Sequence, residues 1–277
     1  MQNICNIVYK QDLTNNALPL KGIQFKTPGT YDNYLRDKVA PKLLDISYRK
    51  SQIDNIKESL YITGFDSINI ESALNKIFEP NFVIENWLIG EFVAEEILED
   101  IYKIKFFYNH LRDAKNPNAK QTGMDIVGFS EIEDGYCFVF GEVKTSNNPK
   151  TPPASVTKRN DGMRDQLKTL AKQEKNIIYN LIQYMHNKMF NASKECREIF
   201  ISALSNYLKD CTNIKLYGCL VRDTNPNPQD LSSSAKNLYP HIKGLTQAEF
   251  VAIYTGSKMQ DEHWINIVKE VSNASKQ

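Results

Sequence analysis

The sequence predicts an α/β protein with a mixed central sheet flanked by helices, and three observations carry that expectation. Apolar side chains recur at helical spacing through NFVIENWLIGEFVAEEILED, residues 81–100. Two β-rich runs, MDIVGF and YCFVFGEVKT, lie on either side of the turn-like EIEDG. Two further apolar runs, IKLYGCLVR and AEFVAIY, are each bounded by segments of helical character. Strands alternating with helices are the pattern of a sheet covered on at least one face.

The elements follow in chain order. Residues 1–80 are the least patterned and read as an N-terminal elaboration, a candidate partner-docking region. There KTPGTYDNY leads into 31–44, and IESALNKIF before Pro80 is a short helix. Residues 81–277 form the domain expected to carry the chemistry. In its first helix, Ile84, Trp87, Leu88 and Leu98 make a core-facing stripe. The two β-rich runs then pair as a hairpin. Beyond the Pro- and Asn-rich SNNPKTPPASVTKRND, the spacing of Met163, Leu167, Leu170, Ile177, Leu181 and Met185 predicts one long amphipathic helix over 162–190.

Composition narrows the function classes. A chain of 277 residues, 41% hydrophobic and 24% charged, is long enough for one large α/β domain or two small ones. With 34 Lys and Arg against 33 Asp and Glu, the net charge of +1 gives no global attraction for nucleic acid, so a polyanion must be held by a local patch. Five cysteines without C-x-x-C spacing argue against a disulfide framework and a thiolate zinc site, and favour a reducing, cytoplasmic setting. No apolar run approaches the roughly 18 residues of a membrane span, and MQNICNIVYKQDL lacks a signal-peptide pattern, so neither export nor anchoring is expected. The four histidines are scattered, and the chain has neither a P-loop nor a G-x-S-x-G elbow. Any motor that works with it is another chain.

The chemistry concentrates in GMDIVGF and FVFGEVKTS. Alternation along a strand gives Phe138, Phe140, Glu142 and Lys144 one parity, so a carboxylate and an ammonium follow two core-facing aromatics. Charges in such a place are costly unless paired or bound to an ion. Asp125, at the start of the preceding strand, reaches the same end of the sheet if the runs pair. Two carboxylates and a lysine are what Mg²⁺-assisted phosphodiester hydrolysis requires, because the hard cation takes oxygen ligands and the ammonium can orient the attacking water. The alternatives are a turn-capping role for Asp125 and a cross-strand ion pair for Glu142 and Lys144.

D-x(16)-E-V-K, behind a Glu-bearing helix and ahead of a basic one over 84–175, resembles the PD-(D/E)XK nuclease superfamily, with Met124 where a proline is frequent. The resemblance implies a restriction-endonuclease-like fold, with Asp125 and Glu142 as ligands of Mg²⁺ or Mn²⁺, Lys144 positioning the nucleophile and Glu91 assisting at the metal. More narrowly, GEVKTS and the chain length are similar to the HamA family, the nuclease subunit of Hachiman-type bacterial anti-phage systems. That likeness implies a helicase partner; DNA is the substrate expected of the nuclease reading, with preference for DNA over RNA left open by the residues.

Glu91 lies on the apolar stripe of its helix, with Glu95 one turn on; each is either a site acid or a helix-edge carboxylate. Gln166 resembles the helical glutamine that some members of the superfamily place beside the metal. Arg164, Lys168, Lys172 and Lys175 share one helix face, and Lys158 and Arg159 precede it. As a set they can track phosphates; singly each reads as solvated surface. Nothing in the sequence reads bases. A different class of function also accommodates the pattern: a scaffolding subunit that keeps a nuclease-like fold and binds DNA or a partner without cutting.

Overall fold

The computed structural model describes residues 4–63, 70–78, 82–107, 124–172, 176–189 and 192–275. Among them, six strands build one sheet: β1 (Cys5–Gln11), β2 (Leu20–Phe25), β3 (Ile126–Ile132), β4 (Gly135–Ser146), β5 (Ile214–Arg222) and β6 (Gln247–Tyr254), in the order β1-β2-β6-β5-β4-β3. The four inner strands run parallel, and each edge strand is antiparallel to its neighbour. The fold is the mixed, helix-flanked α/β sheet that the sequence predicts, and it is consistent with a restriction-endonuclease-like architecture.

Helices cover both faces, which explains why the inner strand β5 is buried along most of its length. On one face Val139 and Val143 of β4 pack with α1 (Pro28–Tyr34), α2 (Ala40–Leu43), α5 (Asn86–Tyr102) and α11 (His263–Ala274). A π-helical turn, Leu35–Val39, joins α1 to α2. On the other face Phe138 and Phe140 pack with α7 (Met163–Ala171), α8 (Ile177–Met189), α9 (Lys194–Leu208) and α10 (Gln229–Leu238). Among the described residues the remaining α-helices are α3 (Ile46–Ile62), α4 (Ile70–Ile77) and the single turn α6 (Ala154–Thr157).

The hairpin forms as expected, with Ile126 opposite Gly141 and Ile132 opposite Gly135. Gly135 turns the chain at φ 114°, a conformation that a side chain disfavours. The single long helix expected over 162–190 is instead two, α7 and α8. Asn176 takes a left-handed conformation, φ 58°, immediately before α8, which breaks the i→i+4 ladder. Residues 173–175 between them lie outside the described residues, and so does Phe190. Trp87, expected in the core stripe, is half-exposed in the first turn of α5, where its indole donates to Glu85.

Two of the six strands come from the first 25 residues, and β2 pairs directly with β6 near the far end of the chain. No disulfide joins any of the five cysteines. Among the described residues no helix is long and apolar enough to cross a membrane.

Candidate active site

The site grows from the register of the β3–β4 hairpin. Asp125 stands one residue before β3, where its N–H donates to Gly141 O at 3.1 Å and its Oδ2 accepts from Val143 N–H at 2.8 Å. These two bonds fix the carboxyl beside Glu142, the β4 residue opposite it. Glu142 and Lys144, two apart on one strand, share a face, and the Lys144 ammonium pairs with Glu142 Oε1. Glu142 is only 2% exposed, while Lys144 remains partly open to solvent.

The third acid arrives from the opposite helix layer. Gly90 lets α5 approach β4 closely: a methyl group built on it would stand 1.8 Å from Thr145 Oγ1. The neighbouring residue, Glu91, is thereby brought, 7% exposed, into the electrostatic field of Asp125, Glu142 and Lys144. One turn on, Glu95 is 2% exposed. Lys42 of α2 spans the acidic side of α5, at 2.7 Å from Glu96, 2.8 Å from Glu99 and 3.9 Å from Glu95.

Electrostatics here follow from burial. Desolvation, then neighbouring carboxylates, push Glu91 and Glu142 far above the usual carboxyl range, with Lys144 partly offsetting both shifts. Desolvation also raises Asp125, against the Val143 N–H, Lys144 and Glu142, which favour its ionised form. Burial lifts Glu95 to about 7, opposed by Lys42. Asp125 and Glu142, cross-strand neighbours in the hairpin register, lie within each other's electrostatic field. Two buried carboxyls so placed need a proton or a cation between them.

The donor set fits a hard divalent cation on one further observation. Glu142 Oε2 is buried and accepts from no donor among the described residues, so an acceptor is turned inward with no described residue to satisfy it. No group of three or more His, Cys, Asp or Glu that could hold a metal ion is formed among those residues. The arrangement is therefore a carboxyl pair, Asp125 with Glu142, and not a closed cage. One or two carboxylates suffice for Mg²⁺ when substrate phosphate supplies further oxygens.

The other expected residues divide between two places. Lys158, bridged to Asp161 at 2.9 Å, and Arg159 are exposed in the turn between α6 and α7. Arg164 is committed to Asp165 Oδ1 at 3.3 Å and to Thr157 O at 3.4 Å. Gln166 donates to Asp161 O at 3.3 Å, a bond that holds it to the turn before α7. Lys168 and Lys172 sit at the other end of α7, where with Lys243 they add to the desolvation that pulls the His241 pKa down. Lys175 lies outside the described residues. Sequence reasoning missed Lys42, which belongs to a segment without a clear pattern, and missed Gly90, although a glycine inside an otherwise strong helix is a local signal of close approach. The HamA family model matches residues 4–264, from the start of the described chain into α11. No curated protein matches the sequence.

Proposed function

The chain belongs to the HamA family, a family of Hachiman-type anti-phage defence, and we propose that it is a metal-dependent nuclease that hydrolyses DNA phosphodiester bonds, acting beside a helicase partner in the cytoplasm. The observation that carries the reading is the buried Asp125–Glu142 carboxyl pair with the Lys144 ammonium on the same sheet face. A structural ion pair would need one acid and one base. Here two acids share the place and a third, Glu91, is pressed toward them.

Asp125 and Glu142 would hold Mg²⁺ or Mn²⁺, with Glu91 assisting. Bound there, the ion supplies Lewis-acid polarisation of the scissile phosphate. The Val143 N–H aims Asp125 and favours its ionised form against the desolvation that raises it, while Lys144, anchored by Glu142 and partly open to solvent, orients the attacking water and offsets charge on the phosphate. Glu91, pushed up chiefly by its burial, would hold a proton beside the pair. Lys158, Arg159, Lys168 and Lys172 supply phosphate contacts without reading sequence. Arg164 contributes through its hold on the turn before α7.

The test is cleavage of plasmid and linear DNA by the purified chain in Mg²⁺ and in EDTA, with and without its partner. The variant carrying both Glu142→Ala and Lys144→Ala is expected to lose cleavage and keep a cooperative melt. Mg²⁺-dependent cutting by that variant refutes the assignment of residues. Silence of the natural chain, alone and in complex, favours a scaffolding role.

A further inference from the structure

We propose that Arg222 is a positioning residue, a buried clamp that sets the path of the loop leaving the Glu142–Lys144 strand. This rests on the reading of the carboxyl site as catalytic. Arg222 ends β5, opposite Ser146, just as Leu220 stands opposite Lys144. Alternation puts it on the same sheet face as Leu216, Leu220, Glu142 and Lys144. It is a guanidinium 1% exposed, on a strand otherwise apolar at that parity.

Its bonds explain the placement. Nη1 pairs with Asp230 Oδ1 in the first turn of α10, and Nη2 donates to Asn148 O and, at 3.3 Å, to Lys150 O. Asp230 is 0% exposed and accepts from Tyr254 Oη at 2.8 Å; that hydroxyl in turn meets Tyr9 Oη at 2.8 Å. Thus β1, β6, α10 and β5 converge on two carbonyls of loop 147–150. Among the described residues the loop's other hydrogen bonds are local: Asn148 N–H to Ser146 Oγ at 3.2 Å and Lys150 N–H to Asn148 Oδ1 at 2.9 Å.

A buried ion pair is a poor device for stability, since an apolar pair of similar volume often does as well. A forked donor that grips two carbonyls is a good device for geometry. The gripped loop starts three residues after Lys144 and leads to the Lys158–Arg159 turn. Arg222 therefore fixes where the phosphate-contacting rim stands relative to the carboxyl pair, and it touches no substrate itself.

Two variants of the full chain test this: Arg222→Lys, which keeps a cation for Asp230 and gives up the fork, and a double variant, Arg222→Met with Asp230→Met, which removes the clamp without stranding a charge. Amide exchange at Asn147, Asn148 and Lys150 is expected to rise roughly tenfold in both, with exchange in the middle of β4 unchanged. With Mg²⁺, the KM for DNA should rise roughly fivefold while kcat stays within about twofold. Unchanged loop exchange in a folded variant overturns the clamp. Faster exchange with an unchanged KM overturns the positioning role and leaves a structural one. If the double variant does not fold, the lysine variant decides by the same readouts. If the natural chain cuts no DNA, the nuclease reading fails and the positioning role falls with it, whereas the exchange arm still decides the clamp.

Discussion

Gly90 lies against Thr145 so tightly that an added methyl group would stand 1.8 Å from Oγ1, 3.0 Å from Cβ and 3.2 Å from Cγ2. Helix α5 can deliver Glu91 only because that space is vacant. Gly90→Ala is expected to cost about 1–3 kcal/mol in thermal denaturation, the usual range for overpacking. Cleavage should fall by roughly tenfold or more, as small misplacements at reacting groups do. Adding Thr145→Ala removes two of the three clashing atoms and should restore part of both losses.

Lys42 and Glu95 make stability depend on pH in a definite direction. The Glu95 carboxyl is raised to about 7 by burial, against Lys42. The folded chain thus holds this proton more tightly than the unfolded one. Its contribution is fully present below the ordinary carboxyl range and is lost as pH climbs to about 7. Lys42→Met removes the offsetting charge, so the drop in melting temperature relative to the natural chain should be larger near about pH 8.5 than near about pH 5. Equal drops at both would sever the link between the two residues.

Metal binding should appear in the melt as well as in catalysis. Saturating Mg²⁺ or Mn²⁺ stabilises whichever form binds it, by about 2.7 kcal/mol at a hundred times the dissociation constant. The natural chain should therefore melt higher with the ion than in EDTA. Glu142→Gln should show little of that increment, because the amide replaces one of the two anionic ligands proposed for the ion.

The two ends of α7 should differ in their salt response. Replacing Lys168 and Lys172 by alanine is expected to lower the slope of log affinity against log salt by about 2 on duplex DNA, near one unit per lost phosphate contact. Arg164→Ala should change the slope less, since Asp165 and Thr157 O already occupy that guanidinium. A slope unmoved by the double lysine change would remove α7 from the DNA path.

The hairpin and the Asp125, Glu142, Lys144 constellation were legible because a strand has a period of two: a charged residue at the parity of Phe138 and Phe140 must face inward. The same rule applied to IKLYGCLVR would have singled out Arg222, which ends that strand at the parity of Leu216 and Leu220. Glu91 was harder. Every residue from Leu88 to Leu98 is buried, so α5 has no solvated face against which to phase a stripe. The break between α7 and α8 carries no proline or glycine, and Asn176 is a faint signal of a left-handed residue. Strand β1 is largely exposed, and β2 owes its place to pairing with β6; tertiary contacts of this kind leave no local pattern.

That pairing of β2 with β6 also sets an order of events during synthesis. The parts of the candidate site, α5, β3 and β4, are close in sequence and can associate once their own residues have left the ribosome. The β1–β2 hairpin has no lateral neighbour on the β2 side until Gln247–Tyr254 has been made, so the first strands of this sheet to be synthesised are among the last to be seated. Closing so long a loop is entropically slow, and until it closes β2 presents an open ribbon edge on which a stalled or shortened chain would aggregate.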